Sequence, residues 1–425
     1  MARRGVNRRV TARHARLPRE RRGMRRLVRG MGIGLAVLLV AGIGTVVYGY
    51  WDLSRTFTEN AQQLDGQDVN PPDIGALVGT EGVDLLLVGL DICEWASHER
   101  HVGRCPQERS AYDEDGRDLQ TAHNDVNLLV RISPEPRRVT VTAFPRDLMV
   151  PIPSCTNQKG ESRAATSHTM LNEAYGRGEL NCVAQTLNAL VTPFGADLAI
   201  DYAASVTWNG VVEITNALGG VDICVAEEIF DPDAGGLHLE PGPHTLVGEQ
   251  ALQFLRMRKT LPTGSDLARI SNQQIYMSAL VRKLTDQGTL SDPGLLLSLA
   301  RTALSNIDPS TELTDPFTLV QLAMAAKDVP TSDYVFLQVP ATDDPLDPDR
   351  VVPIDAEVEK LFTAIAANVP ISPTGTYFDP DANAGANPDP PVAPSGTPAP
   401  GASAAPPPPA PEVLGRNATD TTCAG

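Results

Sequence analysis

Hydrophobic and polar positions fall into three regimes along the 425 residues of the chain. Residues 30–51, GMGIGLAVLLVAGIGTVVYGYW, form one uncharged run long enough to cross a bilayer core as a helix. From residue 83 the pattern changes to short apolar runs alternating with helical spacing. VDLLLVGLD (83–91) is a continuous apolar run and predicts a strand covered on both faces. A polar, charge-rich stretch, 92–120, predicts an exposed loop. DVNLLVRI and RVTVTAF flank SPEP and predict a β-hairpin. TMLNEAYGRG and ELNCVAQTLNALV predict two helices. SVTWNGVVEITNALGG predicts another, stopped by Gly219 and Gly220 before the strand VDICV. Helices follow in GEQALQFLRMRK, SDLARISNQQIYMSALVRKL (with Ser265 or Asp266 as N-cap), PGLLLSLARTAL and DPFTLVQLAMAAK. A late strand, YVFLQVPA, and a closing helix, DAEVEKLFTAIAANV, complete the series. Interleaved strands and helices predict an α/β domain over 81–368, a mixed central β-sheet sandwiched between helices in three layers. Residues 371–425 dissolve into Pro, Ala, Gly and Ser, with PPPPAP among them, and predict a disordered tail.

Charge then sets the topology. The net charge of −17 hides a segregation: residues 1–29 carry twelve arginines, one glutamate and no lysine. That basic segment precedes the apolar run, and Tyr48, Tyr50 and Trp51 sit at the run's far end, where amphipathic rings favour the interface. The asymmetry predicts a cytoplasmic segment 1–29, a transmembrane helix 30–51, and an extracytoplasmic spacer 52–80 containing NPPD. A cleaved signal peptide fits less well, because the run is long for such a segment and no small-x-small site precedes the polar sequence. The arginines therefore read as a topology signal rather than a nucleic-acid contact. All six cysteines (Cys93, Cys105, Cys155, Cys182, Cys224, Cys423) fall on the outer side, where disulfides persist. Their spacing matches no zinc pattern. Cys93 with Cys105 would close a short loop and Cys182 with Cys224 would tie a helix to a strand, among the roughly fifteen connectivities six cysteines allow.

The candidate chemistry starts where the strand VTVTAF runs into Pro145-Arg146-Asp147. If the hairpin turns between Glu135 and Pro136, paired residue numbers sum to about 271, the register that sets Asp125 opposite Arg146. Asp91 ends another strand, at the edge where open α/β sheets bind ligands. Carboxylates with arginines there suit a divalent cation and an anion, and oxygen ligands alone suggest Mg²⁺, with Mn²⁺ as the alternative. Arg256, Arg258, Arg269 and Gln273 form a second group, with guanidinium forks that suit phosphate. Ile270, Met277 and Leu284 would make that helix's core-facing stripe. Taken alone, these residues read equally as a salt-bridged helix connection.

LLLVGLD, NDVNLLVRI, VTVTAFPRDLMV, LNEAYGRG, NALGGVDICV, LVGEQALQFLRMRK and SDLARISNQQ occur in an order that resembles the LytR-CpsA-Psr family of membrane-anchored cell-envelope phosphotransferases. The resemblance covers about 83 to 285. It implies a groove for a polyprenyl chain and a charged pocket for its pyrophosphate. The implied reaction transfers a glycopolymer from a polyprenyl-pyrophosphate carrier to the 6-hydroxyl of N-acetylmuramic acid in peptidoglycan. Asp91 and Asp125 would be Mg²⁺-associated carboxylates. Arg146, with Asp147 beside it, would be a pyrophosphate contact essential to transfer. Asp125 or Asp147 would deprotonate or simply position the attacking sugar hydroxyl, and Arg256, Arg258 and Arg269, supported by Gln273, would bind phosphate. Three positions depart from the family pattern: Cys93, His123-Asn124 and Asn272 stand where the family usually has arginine-bearing motifs. Arg100, Arg104 or Arg109 from the 92–120 loop would then supply the missing cations. The alternatives are a hydrolase using the same pocket and a non-catalytic wall-polymer binding protein. A transcriptional regulator is set aside, since 29 cytoplasmic residues are too few to fold alone. Teichoic or teichuronic acid, arabinogalactan and capsule all remain open as the polymer.

Overall fold

The structure, a computed structural model, describes residues 61–65, 74–101, 104–114, 116–118, 122–258, 266–285, 299, 302–303, 305–327, 329–375 and 413–424. The expected basic segment 1–29 and membrane span 30–51 lie outside the described residues. Among the described residues no helix is long and apolar enough to cross a membrane.

Seven strands build the central sheet: β1 (Val83–Asp91), β2 (His123–Ile132), β3 (Val139–Phe144), β4 (Tyr202–Val206), β5 (Ile307–Pro309), β6 (Tyr334–Gln338) and β7 (Gly415–Asn417), in the spatial order β5-β4-β1-β2-β3-β6-β7. The sheet is mixed: β1 pairs antiparallel with β2 and parallel with β4, and β3 pairs parallel with β6. The hairpin register is the expected one, with Asn127 opposite Phe144 and Ile132 opposite Val139.

Period-2 alternation splits each strand between two environments. Leu86, Val88 and Leu90 point to one face. That face is sealed by α2 (Ala174–Val191), through the fully buried Leu180, Val183 and Leu187, and by α7 (Asp355–Ala366), through Phe362. Phe144 stacks on Phe362 at 6.0 Å between ring centroids. The other face carries Val83, Leu85, Val141 and Phe336 and meets α1 (Ile74–Thr80), α6 (Pro316–Lys327) and part of α5 (Asp266–Thr285). A separate core around Phe254, Met257 and Tyr276 joins α5 and α4 (Glu249–Arg256) to the hairpin Val221–Val225/Gly242–Leu246. Between this unit, α3 (Trp208–Leu218) and the second sheet face lies a cavity. Helix α3 stops at Gly219 in the left-handed region (φ 74°), as its sequence predicts, but opens later than expected, on Thr207, whose hydroxyl accepts from Gly210 N, because Ser205 and Val206 belong to β4.

Several expectations are corrected. Cys93 does bond Cys105, but Cys182 and Cys224 do not bond each other: Cys155 pairs with Cys182 and Cys224 with Cys423. The physical reason is that Cys182 packs in the core beneath the sheet with Cys155, whereas Cys224 lies on the hairpin of the other core. The tail does not stay apart from the domain. Its low-complexity stretch hides an ending, residues 413–424, in which β7 extends the sheet, Arg416 is fully buried and Cys423 is bonded. The described part of the expected spacer also belongs to the fold, with Leu64 and Ile74 buried. The two helices expected over 169–191 do divide where the sequence divides them, at a kink in α2 formed by Gly178 and Glu179 (the latter at φ 56°), but the first begins only at Ala174, since Thr169 and Met170 belong to a strand. In α5, Ile270 is buried but Leu284 is exposed, because the helix outruns the core at its C-terminal end. The 92–120 loop, expected to be exposed, holds a small core of its own: Cys93, Cys105 and Tyr112 pack with Trp208 and Val212 of α3.

Candidate active site

The cavity, about 690 Å³, is apolar along its length and charged at its mouth. Leu87, Leu128 and Val141 of the sheet form one wall, and Ile214, Met277 and Leu280 of the helices form the opposite one. At the mouth stand Asp91, Asp125, Arg146, Arg256, Arg258 and Arg269, with Arg104 beside them and Gln273 on the wall. The sequence-predicted residues thus converge on one site, except Asp147, which is not part of the cavity lining. Asp147 sits behind Arg146, 3.6 Å from its Nε and 3.8 Å from Nη1 of Arg350.

Asp125 reaches the mouth because of a β-bulge. The pairing of β1 with β2 shifts between Gly89 and Leu90, so that Gly89 faces Val126 while Leu90 faces Asn124, and Asp125 is the extra residue. A bulge re-aims a side chain. Gly89 permits the close approach, since a Cβ there would lie 2.8 Å from Val126 Cβ. Two buried amides hold the distortion: Asn124 Nδ2 donates to Asn127 Oδ1 (2.8 Å), and Asn127 Nδ2 donates back to Asn124 O (3.0 Å). Asn124 also accepts from Tyr175 N at 2.9 Å, which ties the bulge to α2.

Arg146 follows from Pro145, which ends β3, and from a turn in which Leu148 N donates to Pro145 O. Its guanidinium pairs with the Asp125 carboxylate. Arg269, near the start of α5, donates to Asp125 O at 3.1 Å and lies 3.7 Å from its carboxylate. Burial pushes the pKa of Asp125 up, but the combined attraction of Arg146 and then Arg269 outweighs it and holds the carboxyl below the usual carboxylate range. Asp125 therefore remains an anion that orders two arginines.

The second arginine group is held by amides. Asn272 donates to Phe254 O (3.0 Å) and Gln273 to Leu255 O (3.2 Å), fastening α5 to the C-terminal turn of α4, where Arg256 sits. Asn272 is buried and serves that helix end, so it leaves no cation where the family pattern has arginine. Arg256 lies over the Trp208 ring at 4.1 Å and Arg104 over the same ring at 4.7 Å. Burial, and then repulsion from Arg104, lower the pKa of Arg256. Asp231 also lines the cavity, but its carboxylate accepts backbone N–H groups of Asp233, Ala234 and Arg258. Of the three loop arginines expected to compensate, Arg104 reaches the mouth and pairs with Asp91. Arg109 instead donates to Tyr112, Asp113 and Glu114 carbonyls of its own loop, and the side chain of Arg100 lies outside the described residues. Sequence reasoning missed Trp208, Arg350 and the asparagine pair; two asparagines flanking Asp125 in an apolar strand were the available signal.

An apolar cavity closed by arginines has the chemistry of a binding site for a lipid with an anionic head. The chain belongs to the LytR_cpsA_psr family, whose model matches residues 47–364. It is 27% identical over 323 residues to the cell wall biosynthesis protein LcpA of Corynebacterium glutamicum, a match covering 73% of this chain and 58% of that protein. It is 29% identical over 268 residues to the polyisoprenyl-teichoic acid–peptidoglycan teichoic acid transferase TagU of Bacillus cereus, covering 63% of this chain and 74% of that one. The fold matches the crystal structure of protein gbs0355 from Streptococcus agalactiae with a TM-score of 0.52 at 21% identity, over 71% of this chain and 93% of that one.

Proposed function

We propose that the protein is a phosphotransferase that moves a glycopolymer from a polyprenyl-pyrophosphate carrier to peptidoglycan outside the cytoplasmic membrane. The observation that carries this reading is one cavity with two chemistries: an apolar length suited to a prenyl chain and an arginine mouth suited to pyrophosphate. A single-pass anchor at 30–51 would keep that mouth near a donor that never leaves the membrane.

The mouth neutralises charge. Arg146 and Arg269, fixed by Asp125, lie where they can take phosphoryl oxygens as negative charge builds on the leaving lipid phosphate. The sugar hydroxyl attacks the polymer-bearing phosphorus, and a new P–O bond forms to the sugar as the bond from that phosphorus to the lipid phosphate breaks. The departing lipid phosphate takes up the hydroxyl's proton, directly or through solvent. With its pKa depressed, Asp125 is a poor proton acceptor. Its work is to orient the arginines, and phosphoryl transfer to a hydroxyl depends chiefly on such positioning.

Asp91 and Asp125 offer carboxylate oxygens to one cavity, a donor set that fits Mg²⁺, which keeps waters and takes phosphate oxygens as well. Among the described residues no cluster of three or more His, Cys, Asp or Glu is poised to hold a metal by itself, so the ion would depend on the substrate for ligands. When bound, Mg²⁺ would supply neutralisation of pyrophosphate charge.

The test is transfer of a labelled polymer from a polyprenyl-pyrophosphate donor, with and without peptidoglycan acceptor. Label appearing in peptidoglycan supports the proposal. Release of free polymer at the same rate with and without acceptor would assign a hydrolase instead.

A further inference from the structure

We propose that Arg104 and Arg256, stacked on Trp208, form an outer phosphoryl subsite whose Arg104 half is delivered by the Cys93–Cys105 disulfide. The inference rests on the lipid-pyrophosphate reading of the cavity and assigns a residue within it.

Four observations converge. Arg104 adjoins Cys105, and Cys93 lies two residues beyond Asp91, so the disulfide returns the loop to the end of β1 (Cα–Cα 5.5 Å). Both cysteines pack against Trp208 in one apolar cluster. The same indole carries Arg104 and Arg256, two like charges, at 4.7 and 4.1 Å. Arg104 pairs with Asp91, which offsets part of that repulsion, and both arginines line the cavity. Two guanidiniums held together on a neutral platform favour an anion that neutralises both.

Position within the mouth indicates which phosphoryl group this is. The Arg104 side chain is 50% exposed, against 16% for Arg146 and 6% for Arg269. Arg146 and Arg269 therefore form the inner, more desolvated pair, and Arg104 meets the phosphoryl group farther from the lipid.

The rest of the loop is restrained independently. Arg117 pairs with Asp308 at 2.7 Å, and Trp95 N donates to Gly116 O at 2.7 Å. Losing the disulfide should then free the segment around Arg104 without unfolding the domain.

The experiment measures binding of geranylgeranyl pyrophosphate and geranylgeranyl monophosphate to the full chain in detergent. Arg104→Ala should weaken the pyrophosphate about tenfold, the scale of one partly exposed charge-assisted hydrogen bond, and the monophosphate less than about twofold. The double variant Cys93→Ser/Cys105→Ser should show the same loss, and adding it to Arg104→Ala should cost no more than about a further twofold. Thermal unfolding of each variant separates lost binding from lost fold. Equal losses for both ligands, or no loss, overturn the subsite. A cysteine effect undiminished in the Arg104→Ala background overturns delivery by the disulfide. If the wild-type chain binds neither ligand, the lipid-carrier reading falls as well; if it binds both and Arg104→Ala is silent, only the subsite falls.

Discussion

The two faces of the central sheet are built from the same strands and do opposite work. On the face beneath α2 and α7, Leu86 and Val88 are fully buried among Leu180, Leu187 and Phe362. On the other face Leu85, Leu87 and Leu128 are only partly buried, although they are equally apolar, and Leu87 and Leu128 line the cavity. Apolar side chains left partly uncovered in a folded interior mark space for an apolar ligand. The closed face contributes stability, and under the proposed function the open face contributes binding.

Substitutions on each face put that contrast to the test. The largest effect is expected at the mouth: Arg146→Ala should lower transfer about 10²–10³-fold, the scale for removing one preorganised donor to developing charge. The fold should survive with a lowered unfolding temperature, because Asp125 loses a buried ion-pair partner and keeps Arg269, and an active Arg146→Ala protein would remove this residue from the mechanism. Next comes the closed face, where Leu86→Ala should cost about 2–5 kcal/mol in denaturant unfolding. Leu87→Ala should cost under about 1 kcal/mol, because the cavity already exposes that side chain. Similar costs at the two positions would mean that the two faces are equally packed.

A smaller effect is expected from filling the cavity. Leu128→Trp should raise the KM for a long-chain prenyl donor about tenfold while leaving binding of inorganic pyrophosphate within about twofold. The smallest effect concerns pH. The folded-state pKa of Asp125 is depressed, so its contribution to stability is present above the unfolded carboxylate pKa and is lost as pH falls through the folded value. Binding of geranylgeranyl pyrophosphate should then show no transition from Asp125 between about pH 5 and 8, and should weaken only below the ordinary carboxylate range. A transition that disappears in Asp125→Asn and lies within the neutral range would contradict the arginine cage.

How much of this could be read in advance follows the range of each interaction. The β2–β3 hairpin was legible because a turn and two alternating strands fix a register locally, and Asn127 does oppose Phe144. The same register placed Asp125 near Arg146. It did not give the bulge that turns Asp125 into the mouth, which depends on Gly89 of β1 and on the Asn124–Asn127 amide pair. Trp208 escaped notice because a tryptophan at a helix start reads as core. Its role emerges only when Arg104 and Arg256, far apart in sequence, meet on its ring. Cystine pairing was legible for the short loop and not for Cys224, whose partner lies 199 residues away in a segment whose composition suggested no fold. Interactions across long loops carry no local periodicity, so the chain's pattern cannot display them.

A crystal structure of the protein with geranylgeranyl pyrophosphate would decide whether one cavity holds both parts of the donor. The account predicts density for the prenyl chain between Leu87 and Leu128 of the sheet and Met277 of α5, with the diphosphate against Arg146 and Arg269. A prenyl chain lying outside that cavity, or a diphosphate bound away from both arginines, would contradict it.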